Sequence, residues 1–235
     1  MVDPAPSEEA LQGDLIQYVK DRQAAGDTFT ALVLTHHHRD HMGAALAMHQ
    51  ALGLPIHAHE KTAALVDFPV QHTLQDAEAL DCDGPSWTGV FTPGHAAGHL
   101  CFLRGSDRAL IAGDMVAGVG TILVDPEEGS MRGYLQSLER LRALDPSVLF
   151  PAHGFEMRPG VEHLDHYLMH RRMRAAAVLE RVKAGDATPE DMVPHIYVGT
   201  PPSFFGLAAR SVWAMLIMHQ EDGAVVQQGE RWVLA

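Results

Sequence analysis

The hydrophobic pattern of the chain consists of short apolar runs and longer amphipathic stretches. Turn residues bound the short runs, which is typical of β-strands. These runs lie at residues 30–35, 54–57, 87–92, 99–104, 108–113 and 147–150. Apolar residues at three- and four-residue spacing predict helices, and such stretches lie at residues 11–26, 42–52 and 131–144. Strands that first alternate with helices and then cluster favour two face-to-face sheets with helices outside.

The pattern changes after residue 160, where helices replace strands. A long helix is predicted over residues 161–183. Thr188 suits an N-cap and Pro189 suits the first position of a second, shorter helix. A third helix is predicted from residue 204 to residue 220, and a short hairpin ends the chain. Helices followed by a small β-ribbon indicate a winged helix.

The fold class that follows is α/β, with both helices and mixed sheets. We expect residues 1–160 to form an αβ/βα sandwich, which is the candidate catalytic domain. A small helical, winged-helix-like domain is expected over residues 161–235. A chain of 235 residues is long enough to bury a core in two such domains.

The stretch at residues 35–41 is the most informative part of the chain, because it reads Thr-His-His-His-Arg-Asp-His. His36 and His38 leave an extended segment on the same side, since side chains alternate along a strand. Asp40 and His41 follow where the chain turns into a helix. Imidazole and carboxylate suit zinc, and iron or manganese accept similar ligands. A surface cluster or an expression tag would not be embedded between a strand and a helix.

Three further apolar runs end in a turn that carries a possible ligand. These ligands are His95, Asp114 and His153. Gly and Pro beside them let the backbone bend sharply at a strand end, so that the next side chain faces a cavity. Each signal is weak alone, but four in series are hard to explain by chance.

These motifs resemble those of the metallo-β-lactamase-fold superfamily, which read Thr-His-x-His-x-Asp-His, Thr-Pro-Gly-His-x-x-Gly-His, Gly-Asp and Pro-x-His-Gly. The resemblance covers residues 2–154 in the same order and implies a metallo-β-lactamase sandwich. It also implies a dinuclear metal site. One metal would be held by His36, His38 and His95, the other by Asp40, His41 and His153, and Asp114 would bridge the two.

The resemblance assigns supporting roles to two further residues. Asp3 would orient the ring of a metal-binding histidine, and His99 would lie behind the ligands. Members of the family usually carry about two strands before the segment that matches Asp3, so the first domain is expected to lack them. From His170 onward the chain resembles the C-terminal domain of a subgroup that includes an endoribonuclease-like branch.

The resemblance implies two Zn²⁺ ions as cofactors, with iron or manganese as alternatives. Two cations about 3.5–4 Å apart lower the pKa of a bridging water towards about 7 and create a hydroxide nucleophile. Asp40 is the candidate catalytic residue, because it can hold a metal and also accept a proton from the water. His37 and Arg39 alternate with the ligands and are expected to point away.

The residue type at position 114 helps to distinguish among the activities of the family. True zinc β-lactamases place Cys or Ser in this region, whereas glyoxalase II-type thioesterases, lactonases and nucleases use Asp. We therefore expect a dinuclear zinc hydrolase of a small ester, thioester or lactone, with weak β-lactamase activity at best. The alternatives are a metal-dependent endoribonuclease or phosphodiesterase, a mononuclear iron sulfur dioxygenase, and a non-catalytic interaction module. Intact ligands disfavour the last.

Charge and composition limit the kinds of partner that the chain is expected to bind. The net charge of −13 at pH 7 favours a small-molecule substrate and disfavours long nucleic acid. Four basic and seven acidic residues follow residue 174, so the winged helix lacks a basic footprint. It is expected to pack against the catalytic domain or against a second copy of the chain in a homodimer. The sequence contains no apolar run long enough to span a bilayer, no secretion signal and only two cysteines. We therefore expect a cytoplasmic protein without membrane association.

Overall fold

The computed structural model describes residues 1–80, 82 and 84–235. The elements of its first part are α1 (Glu9–Ala24), β1 (Leu32–Val33), α2 (Arg39–Met42), α3 (Ala45–Leu52), β2 (Ile56–His59), α4 (Glu60–Ala63), β3 (His72–Leu74), β4 (Ala79–Leu80), β5 (Trp87–Phe91), β6 (Leu100–Arg104), β7 (Ala109–Gly113), α5 (Met131–Ala143) and β8 (Val148–Pro151). Those of the second part are α6 (Gly160–Lys183), α7 (Pro189–Ile196), a 3₁₀ turn (Pro202–Phe204), α8 (Phe205–Glu221), β9 (Val225–Gln228) and β10 (Arg231–Leu234). Within the described ranges, no helix is both long and apolar enough to cross a bilayer.

Two sheets form the centre of the first part. In one sheet β1, β2 and β3 run parallel, with Leu32 opposite Ile56. In the other sheet the strand order is β4-β5-β6-β7-β8, and neighbouring strands are antiparallel except β7 and β8. A parallel pair needs a crossover connection, which here contains α5. The carboxyl ends of β7 and β8 therefore lie at the same edge of the second sheet.

A thin apolar layer lies between the two sheets. Val33 and Leu74 of the first sheet belong to one buried cluster with Leu100 and Phe102 of the second. Helices α1 and α3 cover the outer face of the first sheet, and α5 and α6 cover that of the second. This layering confirms the predicted αβ/βα sandwich.

The positions of the elements predicted from the apolar pattern are confirmed. The structure also contains three short elements that the apolar pattern did not predict. These are α4, β3 and β4. In β3, His72 and Thr73 are exposed, because the strand lies at an edge of the first sheet. Polar side chains suit an edge strand but remove the apolar alternation that identifies a strand in the sequence.

The C-terminal part confirms the predicted helix start and hairpin. The Oγ1 of Thr188 accepts the N–H of Asp191 at 3.2 Å, and the Asp191 carboxylate accepts the N–H of Thr188 at 3.1 Å. This capping box satisfies two N–H groups, and Pro189 occupies the first turn of α7. The antiparallel pair β9 and β10 follows α8, and Trp232 of β10 is buried.

The second part packs on the second sheet through a shared hydrophobic cluster that joins β7 and α5 to α6, α7 and α8. Ion pairs reinforce this contact. Arg210 of α8 donates through Nε and Nη2 to the Asp125 carboxylate at 2.7 and 2.5 Å. Arg132 of α5 donates to Glu221 at 2.6 Å and to Asp222 at 2.7 Å. Because the cluster extends across residue 160, the domain boundary there stays a prediction.

Replacing Asp125 by Asn is expected to lower the free energy of unfolding by about 1 kcal/mol at pH 7. The hydrogen bond from Arg210 holds the pKa of Asp125 below its ordinary value. A lowered folded-state pKa contributes stability above the unfolded-state pKa and loses it as the pH falls. The difference in the free energy of unfolding between wild type and variant should be constant above about pH 5 and become smaller below about pH 4. Urea denaturation across this range measures it.

The matched control is Asp27→Asn, because Asp27 pairs with Arg22 on the exposed surface at 2.6 Å. This variant should differ little from wild type at any pH, since exposed ion pairs contribute little. An equal loss in both variants would show that the contact between Arg210 and Asp125 adds nothing beyond a surface pair.

Candidate metal centre

The chain leaves β1 in a conformation that two hydrogen bonds fix. Thr35 is fully buried, and its N–H and Oγ1 each donate to the Asp3 carboxylate at 2.7 Å. Helix α2 begins a few residues later and turns His41 back towards the strand end. The ring centroids of His36 and His41 are consequently 4.1 Å apart. The histidine-rich stretch thus folds into one compact cluster.

Three ring nitrogens form the first potential metal site. The Nδ1 of His38 lies 2.9 Å from the Nε2 of His36 and 3.0 Å from the Nε2 of His95, and the last two atoms are 3.3 Å apart. A tetrahedral zinc with Zn–N distances of about 2.0–2.1 Å separates its nitrogen ligands by about 3.3 Å. The spacing of the three nitrogens therefore fits a shared cation.

The second potential site lies beside the first. The Nε2 of His153 is 3.4 Å from Oδ2 of Asp40 and 3.5 Å from Oδ1 of Asp114. The Nε2 of His41 is 3.5 Å from the same Asp114 oxygen and 3.9 Å from Oδ2 of Asp40. The other Asp114 oxygen, Oδ2, lies 3.5 Å from His95 Nε2. The Asp114 carboxylate thus stands between the two groups.

The outer ring nitrogens of the buried histidines have acceptors that fix their tautomers. The Nδ1 of His95 donates to the Leu123 carbonyl at 2.8 Å. The Nδ1 of His36 lies 2.9 Å from the Thr35 hydroxyl, whose own proton is donated to Asp3. That hydroxyl must therefore accept from His36. In both rings the Nε2 that faces the cluster is left with a lone pair, as a metal ligand requires.

The two other histidines of the stretch are oriented by carboxylates. The Nε2 of His38 donates to Glu128 at 2.9 Å, so Nδ1 faces the cluster. The Nδ1 of His41 lies 2.9 Å from Asp3, which confirms the expectation that Asp3 orients a histidine ring. Glu128 had no signal in the sequence, because it lies in a loop 90 residues from its partner.

Two buried polar atoms in the cluster have no hydrogen-bond partner among the described residues. They are Nε2 of His41 and Oδ1 of Asp114. A buried polar atom without a partner costs about 1–3 kcal/mol, and a bound cation removes that cost by accepting both lone pairs. The donor set, its spacing and these two atoms together fit divalent cations.

The electrostatics of the cluster differ between His36 and His41. Burial holds the pKa of His36 far below its ordinary value, and the surrounding histidines lower it further. Burial also opposes the charged form of His41, but the nearby carboxylates of Asp114, at 3.5 Å, and of Asp3, at 2.9 Å, outweigh burial and raise its pKa to about 10. The two carboxylates thus favour a positive charge at this position, which a proton or a metal cation can supply.

His99 lies behind the ligands, as the resemblance implies. It is fully buried, and its Nε2 accepts the backbone N–H of Asp114 at 3.1 Å. The preceding residue, Gly113, has a positive φ of 50°, and a Cβ there would lie 2.6 Å from the same nitrogen. Only glycine fits this turn, so the end of β7 places Asp114 through a close contact with His99.

The structure brings together all of the residues that the sequence predicts as metal ligands. They are His36, His38, Asp40, His41, His95, Asp114 and His153. Four of them are buried, while His38 is half-buried and Asp40 and His153 are exposed at the rim. The flanking residues lie outside this set: His37 is 3.9 Å from Glu128, and Arg39 donates to Ser7 at 3.3 Å. The metal-binding role of these seven residues stays a prediction.

The cluster opens into a cavity of about 610 Å³ between the two parts of the chain. His95, Asp114 and His153 line its inner end. Helices α6 and α8, the loop after α7 and the 3₁₀ turn supply much of the remaining wall. These wall residues include His170, Arg171, Arg174, Tyr197, Phe204, Leu207 and Ser211. The sequence predicts that the C-terminal part packs against the catalytic domain or a second subunit and shapes the cleft. The positions of these wall residues are set only when the helices pack on the second sheet.

Comparison with known families agrees with the fold and with the motif order. A family model described as the metallo-beta-lactamase superfamily matches residues 1–153. A second model, the beta-lactamase associated winged helix domain, matches residues 188–232. The chain belongs to the metallo-beta-lactamase superfamily and carries the associated winged helix, which confirms the resemblance found in its motifs. Members of this superfamily typically bind divalent metals and hydrolyse their substrates.

Similar proteins extend over most of the chain. A beta-lactamase-like protein 2 homolog from Caenorhabditis elegans is 27% identical over 201 residues, or 83% of this chain, and the match spans 66% of the worm protein. The crystal structure of TTHA1429 from Thermus thermophilus, a metallo-beta-lactamase family protein, has the same fold. Its TM-score is 0.80 at 22% identity, with 100% of this chain and 89% of that chain covered. TTHA1623, solved in a di-iron-bound form, has a TM-score of 0.54 at 25% identity over 68% of this chain and 84% of that chain.

Replacing Asp114 by Asn is expected to lower the zinc content of zinc-loaded protein from about two ions per chain to about one or fewer. The physical reason is that one Asp114 oxygen faces each group of ligands. Elemental analysis after removal of free metal measures the content. The matched control is Asp165→Asn, which alters a surface partner of Arg142 and should keep the wild-type content. Full zinc content in Asp114→Asn would contradict a bridging role.

Replacing Glu128 by Ala is expected to weaken zinc binding by about tenfold without removing a ligand, because His38 would lose the acceptor that fixes its ring. Competition with a chromophoric chelator measures the affinity. Glu139→Ala is the control, since Glu139 pairs with Arg172 on the surface. Wild-type affinity in Glu128→Ala would show that His38 needs no orienting partner.

Proposed function

We propose that this chain is a dinuclear zinc hydrolase that cleaves a small ester, thioester or lactone. The observation that carries the proposal is the arrangement of the histidine rings. Each of the four histidines of the inner cluster uses one nitrogen to contact a fixed partner and turns the other into the cluster, where His41 and His95 also lie 3.5 Å from the Asp114 carboxylate. A purely structural histidine cluster has no need for lone pairs that converge.

When bound, two zinc ions would lower the pKa of a water towards about 7 and polarise the substrate carbonyl. The chain supplies the other functions. Asp40 lies at the rim of the cluster with a largely exposed side chain, and one of its oxygens faces His153 at 3.4 Å. Its second oxygen can accept the proton that the attacking water releases. Asp40 is therefore the catalytic residue of the proposal.

The cavity supports a small acyl substrate. Its volume of about 610 Å³ suits a molecule of moderate size. The apolar side chains of Ala117, Val119, Ile122, Leu123 and Leu207 line the cavity, so it offers apolar contacts to an acyl group. The net charge of −13 disfavours a polyanion such as RNA.

Zinc is the proposed metal, because nitrogen ligands at these spacings suit a tetrahedral ion. The di-iron form of TTHA1623 makes iron the alternative to test. Elemental analysis of the protein purified without added metal distinguishes the two and also detects manganese.

Replacing Asp40 by Asn is expected to lower kcat/KM for 4-nitrophenyl acetate or a simple thioester by about 10²–10⁴-fold, because the acceptor of the proton is lost. Release of 4-nitrophenolate or of free thiol measures the rate in zinc-loaded protein, and each variant's zinc content is determined alongside. The control is Asp14→Asn, since Asp14 is exposed on α1.

Three outcomes would contradict this proposal. One is wild-type protein with a full zinc content that hydrolyses none of a panel of esters, thioesters and lactones. The second is cleavage of single-stranded RNA that Asp40→Asn abolishes, which would support an endoribonuclease. The third is oxygen consumption with a persulfide by an iron-containing protein, which would support a sulfur dioxygenase.

A further inference from the structure

Two arginines of α6 differ from most others in the chain. Most arginines pair with a carboxylate, as Arg172 does with Glu139 at 2.5 Å and Arg181 does with Asp186 at 2.5 Å. Arg171 and Arg174 have no carboxylate within 4.0 Å among the described residues. In a chain with a net charge of −13, two guanidinium groups without an acidic partner require an explanation.

Arg171 is buried, with 3% of its surface exposed. Its Nη2 donates to the Ile122 carbonyl and to the Thr121 hydroxyl, and its guanidinium carbon lies 5.0 Å from the ring centroid of Tyr134. These partners are all neutral, and its Nε has no hydrogen-bond partner among the described residues. Burial of a cation without a counter-charge is unfavourable, so an anion nearby would stabilise it.

Arg174 lies one helical turn further along α6 and is half-buried. It donates to the Ile196 carbonyl and to the ring of His170, and its guanidinium carbon lies 4.5 Å from the ring centroid of Tyr197. These contacts orient the guanidinium but leave its charge uncompensated. A guanidinium carries five N–H donors in a planar fork that matches a carboxylate or a phosphate.

Both arginines line the cavity that also contains His95, Asp114 and His153. Their side chains lie at positions i and i+3 of one helix, so they share a face of α6. The wall that α6 contributes to the cavity is therefore positive, in a protein whose net charge is strongly negative. A positive wall inside a partly enclosed cavity attracts and orients an anion more strongly than an exposed charge does.

We propose that Arg171 and Arg174 form an anion subsite that binds a carboxylate or phosphate group of the substrate, at a distance from the bond that is cleaved. This inference rests on the proposed hydrolase function and narrows its substrate class to esters, thioesters or lactones that carry an anionic group. The apolar side chains of the same cavity would contact the part of the substrate between the anionic group and the reactive carbonyl.

Arg174 is the residue to test. Arg171 also holds the carbonyl of Ile122, and the next carbonyl, of Leu123, accepts the hydrogen bond from His95. Replacing Arg171 would therefore disturb a metal ligand as well as the subsite. Arg174 contacts the end of α7 instead, away from the ligands.

The substrates for the test are matched pairs that differ only in charge. One pair is the mono-4-nitrophenyl ester of glutaric acid, with a free carboxylate, and its methyl ester. The other is the 4-nitrophenyl ester of 4-phosphonobutyric acid and its dimethyl phosphonate. We expect zinc-loaded wild-type protein to prefer the anionic member of at least one pair by roughly tenfold or more in kcat/KM. The preferred pair distinguishes a carboxylate from a phosphate.

Arg174→Gln is expected to reduce that preference by roughly tenfold or more, mainly through KM, and Arg174→Lys should retain part of it. A loss of folding or of metal would instead lower the rates of both members of a pair equally. The control is Arg172→Gln, the neighbouring arginine on the exposed face of the same helix, which should behave as wild type.

Binding without turnover provides a second measurement. The 4-nitroanilide of glutaric acid keeps the carboxylate but replaces the ester by a stable amide. Its Kd, measured by calorimetry on zinc-loaded protein, should rise roughly tenfold in Arg174→Gln and remain unchanged in Arg172→Gln.

Equal kcat/KM for charged and neutral members in the wild type, or an unchanged preference in Arg174→Gln, would overturn the anion subsite while leaving the hydrolase intact. RNA cleavage that requires Arg174, without charge preference among the small esters, would also overturn it. Zinc-loaded wild type that cleaves no ester of either pair and binds neither the anilide nor its methyl ester would overturn both proposals.

Discussion

The arrangement of the site depends on hydrogen bonds that lie behind the cluster and orient the ligands within it. A histidine binds a metal only through a nitrogen that carries no proton, so the other nitrogen must hold the proton and needs an acceptor. Here those acceptors are a hydroxyl, two carboxylates and a backbone carbonyl, from Thr35, Glu128, Asp3 and Leu123. These acceptors come from separate loops, and the two sheets hold the loops in place. The fold thus fixes the protonation pattern of the site as well as its shape.

This constraint explains why several small features lie near the strand ends. Asp3 has two roles, because its carboxylate accepts from Thr35 and from His41. Gly113 lets β7 approach His99 so closely that the Asp114 backbone is held by a buried ring nitrogen. Each contact restrains a ligand from outside the cluster, so that the carboxylates and rings are held close together. A site that is organised in this way loses little further entropy when a cation or a substrate binds.

The C-terminal helices contribute to the site through packing and charge. Their hydrophobic cluster is continuous with that of the second sheet, and Arg210 adds an ion pair with Asp125 in the loop before α5. This contact closes one side of the cavity and places Arg171 and Arg174 on its wall. The C-terminal helices thus form part of the wall of the cavity that contains His95, Asp114 and His153. For the cavity, the positions of Arg171 and Arg174 on its wall matter more than the net charge of the whole chain.

The sequence alone determined the strand-end motifs, the metal-type ligands and most of the elements, because those signals are local. His36, His38, Asp40 and His41 lie within one short stretch, and glycine or proline marks the turns at His95, Asp114 and His153. Sequence could not supply Glu128, the short polar strand β3 or the neutral surroundings of Arg171. Each depends on which loops and helices become neighbours after the sheets pack, and the partners lie tens of residues apart. The order of residues along the chain therefore determines the local motifs. Tertiary contacts determine the hydrogen-bond acceptors of the ligands, the cavity walls and the charges that lack a partner, because burial and proximity between distant residues arise only when the chain folds.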